Sequence, residues 1–161
     1  MDLSSLYSLQ RQLDGRIETQ HGLQEEDLFD KKILALLVEI GELANETRCF
    51  KFWSVKPPSP REKVLEEYVD GLHFILSLGL ECDFLYSEIP PQLATLPLVE
   101  QFLVVFRAAD EFRKTKSRQS YNRLFTEYLL LGGQLGFSME EIEKAYKQKN
   151  QVNHERQNQN Y

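Results

Sequence analysis

The sequence is poor in cysteine, glycine and proline, and each shortage excludes a class of protein. Only two cysteines, Cys49 and Cys82, occur among 161 residues. They are too few for a disulfide framework and lack the spacing of a zinc site, so we expect two buried free thiols. With 8 Gly and 6 Pro, the chain is neither collagenous nor of low complexity. Its 42% hydrophobic and 27% charged residues are the balance of one globular domain over residues 1–161.

Long apolar runs and an excess of basic residues are also missing. No window approaches the roughly 18 uninterrupted apolar residues that a membrane span needs, and the first residues lack the pattern of a signal peptide. We therefore expect a cytoplasmic protein with no membrane partner. The 25 acidic residues outnumber the 19 basic ones, which gives a net charge of −6. Because grip on a nucleic-acid backbone depends on surplus Lys and Arg, this charge also argues against a nucleic-acid partner.

Hydrophobic periodicity predicts an all-α fold. Apolar residues recur at three- and four-residue intervals almost throughout, and no stretch alternates with period two. Prolines interrupt this pattern around residues 57–60 and 90–97. The predicted bundle has about six helices, over residues 3–21, 26–48, 60–79, 98–113, 121–131 and 138–156. The segment 148–161 is rich in Asn and Gln, so we expect it to be either disordered or a polar binding segment rather than a core helix.

Four acidic residues differ from the ordinary solvated charges. Glu39 and Glu42 lie three residues apart in one apolar helix, and Glu67 and Asp70 lie three apart in the next. This spacing places each pair on one helix face, and a single loop makes the two helices natural antiparallel neighbours. Converging carboxylates would repel one another without a cation. Ligands that are all carboxylates favour Mg²⁺, with Mn²⁺ tolerated.

Two other interpretations of these acids stay open. The pairs could be solvated surface charges on a helical interaction module, because such pairs are common on exposed helix faces. The second interpretation is a ferritin-like di-iron site, but such a site uses Glu-x-x-His on two helices. Asp70 and His73 imitate this pattern on only one helix.

The acidic motifs resemble those of a known superfamily. Glu39-Ile-Gly-Glu42 followed by Glu67-Tyr-Val-Asp70 is similar to the signature of the all-α nucleoside triphosphate pyrophosphatases, the MazG-like superfamily. Further segments resemble its dimeric dUTPase family from one end of the chain to the other. These segments are Asn45-Glu46, Phe50-Lys51-Phe52-Trp53-Ser54, Asp70-Gly-Leu-His73-Phe74, Lys149-Asn150-Gln-Val-Asn153-His154-Glu-Arg156-Gln157 and Tyr161.

The resemblance implies a reaction, a cofactor and an assembly. It implies Mg²⁺-dependent hydrolysis of dUTP, and similarly of dUDP, to dUMP, with a metal-activated water attacking the α-phosphorus. Two or three Mg²⁺ ions would be held by Glu39, Glu42, Glu67 and Asp70, with Glu39 as the general base and Glu42 as the alternative. The active unit would be a homodimer whose interface comes from the apolar region 85–131. A dCTP-preferring or broader MazG-like pyrophosphohydrolase is the alternative with the same metal chemistry.

The resemblance also implies the residues that hold the substrate. Gln10, Asp14, His73 and Trp53 match positions near the uracil or the sugar, although the family often has Asn where this chain has Asp14. A tight wall around the deoxyribose excludes UTP in the family. The segment 148–161 would close over the phosphates with Lys149, Asn153, Arg156 and Tyr161. Each of these residues also has an interpretation without a role in binding. His73 could be a core histidine with all its hydrogen bonds made, Trp53 could only pack against its own loop, and the polar C-terminus could be frayed.

Overall fold

The computed structural model describes residues 1–88 and 96–159, and this part of the chain contains six α-helices and no strand. The predicted all-α class is confirmed. The helices are α1 (Leu3–His21), α2 (Phe29–Thr47), α3 (Arg61–Glu81), α4 (Leu98–Thr115), α5 (Arg118–Gln134) and α6 (Met139–Asn158). None of these helices is long and apolar enough to cross a membrane.

Helix α3 occupies the centre of the bundle. It packs against α1, α2, α5 and α6, and most of its residues are buried. Helix α2 runs beside α3, as their single connecting loop predicts, and α4 pairs with α5. The central helix therefore brings the residues from 67 to 77 into contact with all four of these neighbouring helices.

Two tyrosines fix the distance between α3 and α5. The Tyr68 hydroxyl donates to the Tyr128 carbonyl, and the Tyr128 hydroxyl donates back to the Tyr68 carbonyl, at 2.9 and 2.6 Å. Their rings stack with centroids 4.6 Å apart. Each ring lies against a glycine of the other helix. A larger residue would not fit at Gly71, because its Cβ would come within 2.1 Å of the Tyr128 hydroxyl. This close approach sets the position of the acidic turn of α3.

The ends of the helices follow local capping chemistry. Helix α1 ends at Gly22, whose left-handed φ of 65° suits glycine. Ser138 and Glu141 form the capping box that their spacing predicts. Helix α5 begins at Arg118 rather than at residue 121, because Ser117 caps it and accepts a hydrogen bond from the Ser120 amide.

Two predictions from composition need correction. As far as Gln159, the segment after residue 147 is helical rather than disordered, because α6 continues through it to Asn158 and buries Asn150, while its role in binding stays a prediction. The helix accommodates this segment by turning its polar residues toward α1 and α3. Cys49 and Cys82 are free thiols as expected, but both are half-buried rather than buried.

Candidate active site

Helices α2 and α3 bring three of the four predicted acids together. Glu39, Glu67 and Asp70 each offer a carboxylate oxygen, and these oxygens all lie within 4.8 Å of one another. We call these three residues the acid cluster. Glu67 is buried, while Glu39 and Asp70 are half-buried. Glu42 is exposed and lies outside this group, although it is close enough to Glu39 to affect its pKa.

Burial and repulsion between carboxylates disfavour the charged forms of Glu39 and Asp70. Burial raises the pKa of Glu39 to about 7, and the charges of Asp70, Glu42 and Glu67 add to the increase. Burial also raises the pKa of Asp70, although its hydrogen bond with Lys149 opposes the change. The acid cluster is thus a concentration of negative charge that a cation would stabilise.

Two lysines supply part of the missing positive charge. Lys63 lies one turn before Glu67, and its Nζ is 2.6 Å from a Glu67 oxygen. Lys149 reaches across from α6, where its Nζ donates to Asp70 at 2.8 Å and to Glu66 at 2.9 Å. Both lysines contact carboxylates of the acid cluster, so a metal cation bound by the same carboxylates would compete with them.

A cavity of about 210 Å³ opens beside the acid cluster, between α1, α2, α3 and α6. Eight of the predicted site residues line it: Gln10, Asp14, Glu39, Asp70, His73, Lys149, Asn153 and Arg156. Glu42, Glu67 and Trp53 are not among its lining residues. Tyr161 lies outside the described residues. The four contributing helices therefore bring most of the predicted substrate contacts to one place.

A chain of hydrogen bonds borders the cavity on the side of α1. Ser77 Oγ donates to Asp14 at 2.7 Å, and Gln10 Nε2 donates to the other oxygen of the same carboxylate at 2.8 Å. Gln10 Oε1 accepts from the Tyr146 hydroxyl at 2.7 Å and lies 2.8 Å from His73 Nδ1. We call these five residues the amide network, because the Gln10 amide joins its two halves.

His73 is buried and neutral within this network. Burial lowers the pKa of its imidazole to about 3, and the charge of Lys149 contributes in the same direction. Its ring stacks on Tyr146 with centroids 4.2 Å apart. Its second nitrogen, Nε2, is buried and has no hydrogen-bond partner among the described residues. A buried polar atom of this kind is normally paired, so it indicates a place where a ligand can bind.

The aromatic residues of the loop between α2 and α3 are exposed to solvent. Trp53 is 65% exposed and Phe52 is 93% exposed. Their rings meet edge to face at 5.0 Å, and Phe50 contacts Trp53 in the same way at 6.0 Å. Arg48 shapes the loop by donating to Ser54 Oγ at 2.6 Å. Trp53 thus packs on its own loop and is not drawn into the cavity.

Comparison with known protein families identifies the family of this chain. A family model described as dUTPase matches residues 2–161, nearly the whole chain. The chain belongs to the dUTPase family. It is therefore a nucleotide pyrophosphohydrolase, and the acid cluster is consistent with the metal site that such an enzyme needs. Comparison with curated proteins finds no significant match.

Three residues that contact the site of this dUTPase family member were not predicted from the sequence. Ser77 and Tyr146 complete the amide network, and Lys63 pairs with Glu67. A signal was present for two of them. Ser77 follows His73 by four residues, and Tyr146 precedes Asn153 by seven, so each shares a helix face with a predicted contact. An isolated Ser or Tyr is too common in helices for this spacing to identify it.

Proposed function

We propose that this member of the dUTPase family hydrolyses dUTP, and dUDP, to dUMP, with release of pyrophosphate or phosphate. The single observation that carries the proposal is the cavity that joins the acid cluster to the amide network. Glu39 and Asp70 line it together with Gln10 and His73. One part suits a metal-bound polyphosphate, and the other suits a planar base with its own donors and acceptors.

The acid cluster fits Mg²⁺ as the cofactor, with Mn²⁺ as a substitute. Its donors are all carboxylate oxygens, which these hard ions prefer to the nitrogen and sulfur ligands of zinc or copper. Glu39, Glu67 and Asp70 would hold two or three of these ions, and the adjacent Glu42 would be the fourth protein ligand. Bound Mg²⁺ offsets the negative charge of the phosphates and activates water for attack on the α-phosphorus.

Glu39 is the residue that we propose as the general base. It belongs to the acid cluster and also lines the cavity, so its carboxylate faces the space where a nucleotide would bind. A carboxylate in this position can accept a proton from water during attack. Glu42 is the weaker candidate because it is exposed and does not line the cavity.

The amide network supports a preference for uracil over cytosine. Because His73 is neutral and its Nδ1 faces the Gln10 carbonyl oxygen, Nε2 carries a lone pair. Uracil presents an N–H at N3, whereas cytosine presents a lone pair at the same atom. His73 Nε2 therefore complements uracil and repels cytosine. Gln10 and Asp14 complete the polar border of the base pocket.

Helix α6 and the aromatic loop supply the remaining proposed contacts. Lys149, Asn153 and Arg156 share one face of α6 and line the cavity, which suits binding of the outer phosphates. We include Tyr161 in this phosphate-closing segment, 148–161, on the resemblance alone. For Trp53 to contact the base or the sugar, its loop would have to move toward the cavity on substrate binding.

We also propose that the active unit is a homodimer. The support beyond the family resemblance is a set of exposed apolar residues on α2 and α4, two helices that pack against each other. They are Leu34, Val38, Val99 and Leu103. Light scattering of the purified chain should give twice the monomer mass of 18.9 kDa. A monomer that turns over dUTP at the full rate would contradict this assembly.

Isotope labelling tests the proposed reaction. The chain is incubated with dUTP and Mg²⁺ in ¹⁸O-enriched water, with a parallel sample in EDTA. Attack at the α-phosphorus places the label in dUMP and leaves pyrophosphate unlabelled. Label in the phosphate products, or turnover that survives EDTA, would contradict the mechanism. Preferential hydrolysis of dCTP, or equal hydrolysis of several nucleotides, would instead favour the broader MazG-like alternative.

A further inference from the structure

The orientation of the Gln10 amide decides what the base part of the cavity offers to a nucleotide. Gln10 is only 3% exposed, and both ends of its amide are engaged. Nε2 donates to the Asp14 carboxylate, which also accepts from Ser77. Oε1 receives the Tyr146 hydroxyl and faces His73 Nδ1. Each donor thus meets an acceptor.

The reversed amide would break this pairing at two contacts. Its Oε1 would face the Asp14 carboxylate, and two acceptors at 2.8 Å repel each other. Its Nε2 would face the Tyr146 hydroxyl, so that hydroxyl would have to give its hydrogen elsewhere. Two other groups lie near that hydroxyl: the Leu6 carbonyl oxygen, at 3.4 Å rather than 2.7 Å, and the side-chain amide of Asn150. Two contacts therefore favour the observed orientation, one with Asp14 and one with Tyr146, and loss of either one reduces its advantage over the reversed orientation.

The amide orientation determines the tautomer of His73. Facing Gln10 Oε1, the Nδ1 atom must carry the hydrogen of the neutral imidazole, and Nε2 must carry the lone pair. With the amide reversed, Nδ1 would accept from Gln10 and Nε2 would become the donor. The two orientations thus present opposite hydrogen-bonding character to whatever binds in the cavity.

We infer that Tyr146 is a positioning residue for base selection. Its hydroxyl holds Gln10 in the orientation that makes His73 Nε2 an acceptor, and its ring keeps His73 in place by stacking. Tyr146 is not among the residues that line the cavity, so it acts through Gln10 and His73 rather than on the nucleotide. The inference rests on the proposed function, and it assigns the choice of uracil over cytosine to a buried hydroxyl on α6.

The test compares Tyr146→Phe with Tyr86→Phe. Each variant removes one phenol hydroxyl and keeps the ring. The Tyr86 hydroxyl pairs with Thr126 at 2.8 Å rather than with Gln10 or His73, so it controls for loss of a hydrogen bond alone. Two quantities are measured for each chain: the ratio of kcat/KM for dUTP to that for dCTP, and the His73 tautomer by ¹⁵N NMR without nucleotide.

We expect the wild-type chain to show the Nδ1–H tautomer. Tyr146→Phe should introduce the Nε2–H form and lower the dUTP to dCTP ratio by about tenfold, mainly through KM for dUTP. Tyr86→Phe should leave both the ratio and the tautomer unchanged. A purely structural role of Tyr146 would lower activity toward both nucleotides equally and leave the tautomer alone, and that result would overturn the inference.

The two measurements separate the inference from the proposed function. A wild-type chain that does not prefer dUTP contradicts the proposed substrate, while the tautomer still reports on Tyr146. Wild-type His73 in the Nε2–H form would overturn the inference even if Tyr146→Phe fails to fold. An unchanged tautomer and ratio in a folded Tyr146→Phe chain would overturn it as well.

Discussion

The acid cluster and the amide network lie one turn apart on α3, yet they are organised in opposite ways. In the acid cluster, Glu39, Glu67 and Asp70 are like charges within 4.8 Å of one another, and burial raises the pKa of two of them. In the amide network, every hydrogen bond pairs a donor with an acceptor, and only His73 Nε2 is left over.

This difference separates two tasks of a nucleotide hydrolase. A cluster of repelling charges is costly to the fold, so it is suited to capture cations and, through them, phosphates. A matched network holds its groups rigidly, so it is suited to distinguish one base from another by a single atom. We therefore expect changes in the acid cluster to abolish turnover, and changes in the network to alter selectivity or stability.

The largest effect should come from Asp70→Asn. Removing one charge from the acid cluster weakens the hold on the metal ions, and we expect kcat/KM for dUTP to fall by about 10² to 10³. The fold should tolerate the change, because it relieves repulsion with Glu39. The measurement is pyrophosphate release over a range of Mg²⁺ concentrations, together with urea unfolding.

Glu66→Gln is the matched control for Asp70→Asn. Glu66 accepts from the same Lys149 ammonium, at 2.9 Å, but it is exposed and outside the acid cluster. We expect its kcat/KM to stay within about threefold of the wild-type value. Equal losses in the two variants would mean that the Lys149 ion pairs, rather than metal binding, explain the effect.

A smaller effect is expected for His73→Gln, which changes the amide network and leaves the acid cluster intact. The variant loses the acceptor at Nε2, so discrimination between dUTP and dCTP should fall by about 10- to 100-fold. The dependence on Mg²⁺ should not change, since the acid cluster is intact. The measurement is kcat/KM for both nucleotides at saturating Mg²⁺. A shifted Mg²⁺ requirement with unchanged selectivity would break the division between the two regions.

The last predicted effect concerns stability rather than turnover, and it depends on pH. The folded chain keeps His73 neutral down to a pKa of about 3, whereas a free histidine takes up its proton near pH 6.5. Between these values the unfolded chain binds more protons, so the free energy of unfolding should decrease as the pH falls. His73→Gln should remove a slope of at most about 1.4 kcal/mol per pH unit in this window. Urea unfolding of both chains from pH 7 downward measures the difference, and identical slopes would contradict a buried neutral histidine.

The sequence predicted the acid cluster better than the amide network, for a physical reason. Glu39, Glu67 and Asp70 are revealed by local spacing, because three-residue steps place side chains on one helix face and buried carboxylates are rare. Ser77 and Tyr146 acquire their roles only when α3 and α6 bring them to Gln10 and Asp14 on α1. Such contacts depend on how the helices pack, which a single sequence does not encode locally.

The same distinction applies to the fold. Periodicity predicted six helices, and the capping box at Ser138 was readable from spacing alone. Composition was a poorer guide to the polar segment, because α6 continues to Asn158 through contacts with other helices. Arg16 on α1 donates to the His154 carbonyl, and Gln20 donates to that of Gln157. These tertiary hydrogen bonds hold the polar end of α6 against α1, a packing that its composition did not predict.

The most direct test of the account is turnover of four nucleotides, dUTP, dCTP, dTTP and UTP, by the wild-type chain with Mg²⁺ and with EDTA. We predict pyrophosphate release that depends on Mg²⁺ and is fastest with dUTP, since the acid cluster and the amide network act on one bound molecule. Release that is fastest with dCTP, or no release from any of the four, would contradict it.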